Sequence, residues 1–169
     1  MSTDVVRIVL TDSNVLINLM HVSRLGLLRA IPAHEFVVPD HVREEITNVD
    51  QRAVLDRAIG DGWLKVEAIT DLDAIAVFTE LITRIGRGEA ACIAIAAQRG
   101  WSLASDEKGR FRREAEARVG SARILGTVEL FVLAIRAGLL TIEDADADKL
   151  VLERRRFKMA FKSFGEVIG

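Results

Sequence analysis

The chain has 169 residues, of which half are hydrophobic and 28% are charged, and its formal net charge is −2. This composition is typical of one globular domain and excludes a long disordered chain. The slightly negative charge excludes a basic field over the whole surface, so any contact with nucleic acid must be local.

Cysteine and histidine usage restricts the chemistry further. Cys92 is the single cysteine, which excludes an intramolecular disulfide and a cysteine-based zinc site and fits a reducing compartment. The histidines stand in neither an HxxxH nor an HxH arrangement, which argues against zinc. The chain also lacks a basic-then-apolar leader and any apolar stretch of about 18 residues, so we expect a cytoplasmic protein that does not contact a membrane.

Short apolar runs alternate with helical stretches along the chain. Residues 5–10 form a near-continuous apolar run, which is typical of a strand buried on both faces of a parallel sheet. Asn14 or Ser13 is expected near the start of the next helix, and Asp40 is expected to cap a helix over residues 41–46. Further strands are predicted at residues 36–40, 63–66, 101–105 and 122–126, and further helices at residues 52–62, 72–85, 89–98, 108–119 and 127–137.

This alternation of strands and helices predicts an α/β fold. The expected architecture is a central parallel sheet with helices on both faces. In open sheets of this kind, binding sites form beyond the carboxyl ends of the strands. Side chains that follow the strands are therefore the first candidates for function.

Residues 141–169 are predicted to be a helical extension added to a domain formed by residues 1–140. Thr141 and Asp144 have the spacing of a capping box, with Asp in place of the usual Glu or Gln. Acidic residues dominate the start of the segment and basic residues its end, as the helix dipole favours. The basic run at residues 154–156 is interpreted by default as a solvated helix face, with RNA contact as the alternative.

Three phenylalanines in this extension have helical spacing. Phe157, Phe161 and Phe164 stand at positions i, i+4 and i+7, which predicts one apolar stripe on a helix. Such a stripe most often packs on its own domain. A homodimer or partner interface is the alternative.

Four acidic residues stand where a site is expected. Asp12 follows the first predicted strand and Asp106 follows the strand at residues 101–105, so both lie at the same edge of the sheet. Glu45 lies beside the apolar side of its helix, and Glu89 opens a helix so apolar that it must be buried. Taken singly, each acid has an ordinary alternative as a turn residue, a solvated charge or a first-turn acid favoured by the helix dipole.

Clustered carboxylates predict a hard divalent cation. They repel one another, and a pKa rises unless a cation neutralises the group. Mg²⁺, or Mn²⁺ in its place, suits oxygen ligands without thiol or imidazole. We expect Asp12 and Asp106 to be direct ligands, Glu89 to be a ligand or to hold the attacking water, and Glu45 to ligate directly or through water. Candidates for orienting these acids, or for merely capping strand ends, are Thr11, Asn14 and Ser105.

Basic residues flank two of the acids. Lys108, Arg110 and Arg112 follow Asp106 closely, and Arg87 precedes Glu89. Contacts from such residues would position a phosphate backbone without reading its sequence. A solvated helix face is the alternative.

Several segments together resemble a known family. "LTDSNVLI", "VPDHVREEI", "GRGEAACIAIA" and "LASDEKGRF" occur in that order and resemble the motifs of PIN-domain nucleases, most closely the branch related to VapC toxins of toxin–antitoxin pairs. "ARILGTVELFVLAIRAGLL" is similar to the closing strand and helix of that branch. The resemblance covers about residues 5–140. It implies a three-layer α/β/α fold, divalent-metal binding by clustered acids and phosphodiester hydrolysis, usually of RNA.

The motifs carry the family's acids over to Asp12, Glu45, Glu89 and Asp106. The fourth motif in the family often has closely spaced acids, so Glu107 is an alternative to Asp106 or shares its role. The basic residues after this motif are shifted, and Arg110 and Arg112 are their nearest equivalents.

Three functions are compatible with these features. The leading hypothesis is a metal-dependent endoribonuclease, and more specifically a toxin with an antitoxin protein as its partner. The second is a noncatalytic PIN-like module that binds RNA or protein, against which the intact acids argue. The third is a phosphatase of the haloacid-dehalogenase type, which would need a second carboxylate where Asn14 stands.

Overall fold

The computed structural model describes residues 5–169 and contains one sheet of five parallel strands in the order β3-β2-β1-β4-β5. Helices flank the sheet, which confirms the predicted three-layer α/β/α fold. Every strand predicted from the apolar runs is present, although most are shorter than expected. The strands are β1 (Arg7–Thr11), β2 (His34–Pro39), β3 (Lys65–Glu67), β4 (Ser102–Ala104) and β5 (Ile124–Leu125).

The helices follow the predicted order with small shifts at their ends. The short helix α2 was not predicted, and Asp40 is the first residue of its helix rather than the cap, which is Pro39. In the described chain the α-helices are α1 (Ser13–His21), α2 (Leu27–Ala30), α3 (Asp40–Glu45), α4 (Val49–Gly60), α5 (Leu72–Leu81), α6 (Arg87–Arg99), α7 (Gly109–Arg118), α8 (Thr127–Arg136), α9 (Ile142–Arg154) and α10 (Gly165–Ile168).

Strand β1 lies at the centre of the sheet, between β2 and β4. Its residues Val9, Leu10 and Thr11 are fully buried, which the apolar run predicted for Val9 and Leu10. The predicted start of this strand is wrong, because Val5 and Val6 lie outside it and are 88% and 53% exposed. The strand therefore ends inside the core, and the next residue, Asp12, lies at the carboxyl edge of the sheet.

Helix α6 is buried through most of its length. Its residues from Ala90 to Ala96 are all buried, and the helix packs on α5 and α3. Gly100 ends it in the left-handed conformation at φ 66°, which glycine adopts without strain. This burial fixes the start of α6, with Glu89, against the end of α3, with Glu45.

The C-terminal phenylalanines pack on the domain without forming a helical stripe. Helix α9 ends at Arg154, so the prediction that they share one helix is wrong. Phe164 is fully buried, with its ring centroid 5.4 Å from that of Phe131 and 4.9 Å from that of Phe161. Phe157 is only half-buried. The segment after α9 is thus an irregular turn anchored by Phe164.

Within residues 5–169, no helix is long and apolar enough to cross a membrane.

Candidate active site

Asp12 occupies the junction between β1 and α1 and is only 1% exposed. Its carboxylate caps α1, since Oδ1 accepts a hydrogen bond of 2.8 Å from the Ser13 N–H. Its other oxygen accepts one of 3.0 Å from the Ser105 hydroxyl, and the Asp12 N–H donates to the Ala104 carbonyl at 2.9 Å. Asp12 is therefore fixed to both the central strand and its neighbour β4.

The protonation of Asp12 is strongly perturbed. Burial, with a smaller effect from the charges of Glu89 and Glu45, raises the pKa of this carboxyl from 3.8 to about 7. Hydrogen bonds from the Ser13 N–H and the Ser105 hydroxyl lower this pKa but do not cancel the effect. Within the described chain, Asp12 forms no ion pair with a lysine or arginine. Its negative charge thus lacks a protein counter-ion.

Glu45 reaches the site from the last residue of α3. Its Oε1 accepts a hydrogen bond of 2.8 Å from the N–H of Gly88, near the start of α6. A Cβ atom on residue 88 would lie 2.5 Å from Glu45 Oε2, so only glycine lets this carboxylate lie where it does. The motif "GRGE" therefore serves Glu45 as well as Glu89.

Glu89 lies in the first turn of α6 and is half-buried. Burial raises the pKa of its carboxyl, and the charges of Glu107 and Glu45 raise it further. Its Oε1 also accepts a long hydrogen bond of 3.4 Å from the Gly86 N–H, which lowers the pKa. Glu89 is thus a first-turn acid of α6, as its ordinary alternative has it, and it also interacts with the charges of two other acids.

The adjacent acids Asp106 and Glu107 have different surroundings. Asp106 accepts hydrogen bonds from the Thr127 N–H at 2.7 Å, the Thr127 hydroxyl at 2.5 Å and the Asn18 amide at 3.1 Å. Burial raises the pKa of Asp106, these hydrogen bonds lower it, and the carboxylate that adds to the rise is Glu129. Asp106 thereby joins the end of β4 to the start of α8.

Glu107 instead faces the other acids. Its Oε1 accepts a hydrogen bond of 3.3 Å from the Asn14 amide, which also lies 3.5 Å from Asp12 Oδ2 and 3.4 Å from Ser105 Oγ. Its charge contributes to the raised pKa of Glu89. We call Asp12, Glu45, Glu89 and Glu107 the acid cluster, because each of them is linked to another through its charge or through Asn14.

The polar residues proposed to orient the acids differ in whether they form hydrogen bonds with them. Ser105 donates a hydrogen bond to Asp12, and the Asn14 amide donates one to Glu107. The Thr11 hydroxyl is buried and has no hydrogen-bond partner in the described part of the chain, so it orients none of the acids. Asn18 and Thr127, which contact Asp106, were not predicted. Their positions in the sequence could have suggested them, because Asn18 lies one helical turn after Asn14 and Thr127 begins the helix after Gly126.

The predicted basic residues also divide into two groups. Lys108 and Arg112 line a cleft of about 310 Å³ beside Asp106 and Glu107, although Arg112 is paired with Glu116 at 2.7 Å. Arg110 donates instead to the Arg84 carbonyl, and Arg87 lies 5.6 Å above the ring of Phe78. Lys108 and Arg112 thus remain the better candidates for phosphate contact.

The oxygen atoms of the acid cluster are ligands of the kind that a hard divalent cation prefers. All cluster side chains offer carboxylate oxygens, and Asp12 has no cationic partner among residues 5–169. As these side chains stand, no three acid, histidine or cysteine groups of the described residues are close enough together to hold a metal ion. Glu45 and Glu107 are exposed and have room to turn. The donors thus suit such a cation in chemistry, although the described side chains do not stand in a metal-holding arrangement.

Comparison with known families agrees with the fold. A family model described as a PIN domain (DUF3368) matches residues 8–163, and the chain therefore belongs to the PIN-domain family. PIN domains are generally nucleases, so the fold is of the nuclease type. The match extends beyond α8 through α9 and the turn that follows it. No curated protein matches the chain.

Proposed function

We propose that this protein is a cytoplasmic endoribonuclease that hydrolyses RNA phosphodiester bonds with the help of Mg²⁺ or Mn²⁺. We further propose that it acts as the toxin of a toxin–antitoxin pair, as its resemblance to the VapC-related branch implies, with an antitoxin protein as its partner. The observation that carries the proposal is the acid cluster at the carboxyl edge of the sheet, built around the buried Asp12.

Electrostatics supports a bound cation. Burial first, and then the charges of the neighbouring acids, raise the pKa values of Asp12 and Glu89, so ionisation of the cluster is unfavourable in the folded chain. A divalent cation would offset this cost and make the ionised form favourable. The donors are all oxygens, which suits Mg²⁺ or Mn²⁺ better than a thiol- or imidazole-seeking metal.

We assign roles to the acids from their contacts. Asp12, held by Ser13 and Ser105, would be the fixed ligand, and Glu89 and Glu107 would complete the set. When bound, the metal would lower the pKa of a water and stabilise negative charge on the phosphate.

Glu45 and Asp106 would support this arrangement in different ways. Glu45, held by Gly88, would orient the attacking water or ligate through it. Asp106 was expected to be a direct ligand. Its three hydrogen bonds to Thr127 and Asn18 favour a positioning role that fixes the loop carrying Glu107.

The proposal predicts a metal requirement. With Mg²⁺ or Mn²⁺, the purified protein is expected to cleave single-stranded RNA, and excess chelator is expected to lower the rate by at least about 100-fold. The assay follows fragments of an end-labelled RNA, with p-nitrophenyl phosphate tested in parallel. Cleavage that persists in chelator after contaminating nucleases are excluded would contradict metal dependence. Binding of RNA without cleavage would favour the noncatalytic module, and hydrolysis of the phosphomonoester alone would favour the phosphatase.

The two adjacent acids are expected to respond differently to amide substitution. Glu107→Gln should lower the cleavage rate at least about 10-fold and change the free energy of unfolding by less than about 0.5 kcal/mol, because Glu107 is exposed. Asp106→Asn should keep more activity but lose about 1–2 kcal/mol, since an amide cannot accept all three hydrogen bonds. Cleavage rates and urea unfolding of both variants test this. Full activity in Glu107→Gln together with none in Asp106→Asn would reverse the assignment.

A further inference from the structure

We propose that the turn after α9 is a phosphate-binding wall for a single strand of RNA. This turn, residues 155–158, has the sequence "RRFK", and we call it the basic turn. The inference rests on the proposed ribonuclease function and names the part of the chain that would hold the substrate beside the acid cluster.

The basic turn and the acids face one another across an open cleft. The cleft has a volume of about 570 Å³. Asn14, Asn18 and residues 106–108 line one side, and the basic turn lines the other. Residues 106–108 also line the smaller cleft that contains Arg112. The two clefts therefore adjoin at residues 106–108, with the basic turn in one and Arg112 in the other.

The charges of the basic turn are available to a ligand. Arg155, Arg156 and Lys158 are exposed, and none of them forms an ion pair with a carboxylate within residues 5–169. Three free cations beside a nuclease-type acid site provide the local positive charge that a phosphate backbone needs. The net charge of −2 for the whole chain does not oppose this, because the cations are concentrated on one side of the cleft.

The backbone conformation at residue 156 suggests that the arginine is kept there for its side chain. Arg156 has φ 69°, in the left-handed region, where a glycine would fit without strain. The Arg156 N–H donates to the Glu153 carbonyl and the Phe157 N–H to the Leu152 carbonyl, both at 3.0 Å, which is the hydrogen-bond pattern that ends helices at a glycine. Strained residues of this kind concentrate at functional sites.

Phe157 adds a surface for a base. It is half-buried, lines the cleft and stands between Arg156 and Lys158. An aromatic ring among cations suits a single strand, whose unpaired bases are free to stack. An acidic peptide is less suitable, because it carries no bases to stack on the Phe157 ring.

Two sets of contacts hold the basic turn in place. On α9, before the turn, Asp148 forms an ion pair of 2.8 Å with Arg24, which lies just after α1 in the chain. After it, Asp146 accepts hydrogen bonds from the Ser163 hydroxyl at 2.6 Å and the Phe164 N–H at 2.8 Å. The turn is therefore fixed next to α1, the helix that carries Asn14 and Asn18.

The test measures RNA binding without cleavage. A fluorescein-labelled 12-nucleotide oligouridylate is titrated with protein in chelator, and fluorescence anisotropy gives the dissociation constant at several salt concentrations. The double variant Arg156→Gly with Lys158→Ala is expected to bind at least about 10-fold more weakly, and its salt slope should fall by about 1.4 for two lost phosphate contacts. Arg156→Gly alone should leave the thermal unfolding temperature unchanged or higher, since glycine relieves the strained φ.

Arg154→Ala is the matched control. Arg154 is an exposed arginine two residues from Arg156 and does not line the cleft, so its variant should bind within about twofold of the wild type. An equal loss in this control would overturn the inference, as would tighter binding of an oligoglutamate peptide than of the oligouridylate. Absence of binding by the wild type up to about 100 μM at low salt would also overturn it.

The inference and the proposed function can fail separately. If the double variant loses RNA binding but the wild type never cleaves RNA with Mg²⁺ or Mn²⁺, the basic turn binds RNA as inferred and the proposed ribonuclease function is wrong. If the wild type cleaves RNA and the double variant has the same KM, the function stands and the inference is wrong.

Discussion

Asp12→Asn is expected to lower metal-dependent RNA cleavage by at least about 10³-fold, since a lost metal ligand removes several kcal/mol of charge stabilisation. The same change is expected to leave the chelated fold as stable as the wild type, or more so. Asparagine nearly preserves the shape, and its oxygen can still accept the hydrogen bond from the Ser13 N–H. The amide removes the buried charge that Glu45 and Glu89 oppose.

The stability gain should depend on pH in a defined direction. The Asp12 pKa is about 7 in the folded chain, above the ordinary value of 3.8, so the unfolded chain releases this proton first. The contribution of Asp12 is therefore fully present below about pH 4, falls as the pH rises, and levels off above about pH 7. The difference in pKa corresponds to about 4 kcal/mol, which is an upper bound for the gain from Asp12→Asn at pH 8.

Urea unfolding of both proteins in chelator at pH 4 and pH 8 tests this expectation. The two free energies of unfolding should nearly coincide at pH 4, and the variant should be the more stable protein at pH 8. Strong destabilisation of Asp12→Asn at pH 8 would instead make Asp12 a structural hydrogen-bonding residue. The candidate site would then lose its fixed ligand.

Phe164→Ala is expected to destabilise the protein by about 3–5 kcal/mol, as for other buried phenylalanines. Phe164 is fully buried and packs on Phe131 and Phe161, so its truncation leaves a cavity between the C-terminal segment and α8. Urea unfolding at neutral pH measures the change.

Phe157→Ala provides the control for this prediction. Phe157 is half-buried and lines the cleft, so its truncation should cost about 1 kcal/mol or less. A similarly small loss in Phe164→Ala would show that the C-terminal segment adds little to the core. Residues 1–140 would then be expected to fold alone.

Most of the sheet could be predicted because the strands other than β3 are largely buried. Val9 and Leu10 belong to an apolar run without polar alternation, which is typical of a central parallel strand. The edge position of Asp12 then followed, because a polar residue that ends such a strand lies at the carboxyl edge. Val5 and Val6 show the limit of this reasoning, since an apolar run does not reveal where pairing with neighbouring strands begins.

The orientation of the adjacent acids could not be read from the sequence. Asp106 turns toward Thr127 and Glu107 toward Asn14, and these partners are 21 and 93 residues away in the chain. Only the packing of α8 and α1 around the end of β4 determines which carboxylate joins the cluster. The adjacency of two acids alone left both possibilities open.

The C-terminal segment shows a second limit. Spacings of four and three residues suit a helix, but Phe157, Phe161 and Phe164 lie in and after an irregular turn. The turn forms at Arg156, whose positive φ is unusual for arginine and cannot be inferred from residue type. Arg154 thus ends a helix, and Arg155 and Arg156 line a cleft instead of continuing a solvated helix face.

The central claim is that the acid cluster binds a divalent cation through Asp12, and calorimetric titration with Mn²⁺ tests it most directly. Wild-type protein and Asp12→Asn are compared at pH 8, where the Asp12 carboxyl of the wild type is mostly ionised. Binding by the wild type and an affinity at least about 10-fold lower in the variant is the predicted result. Equal affinity in the two proteins, or no binding by the wild type, would contradict the claim.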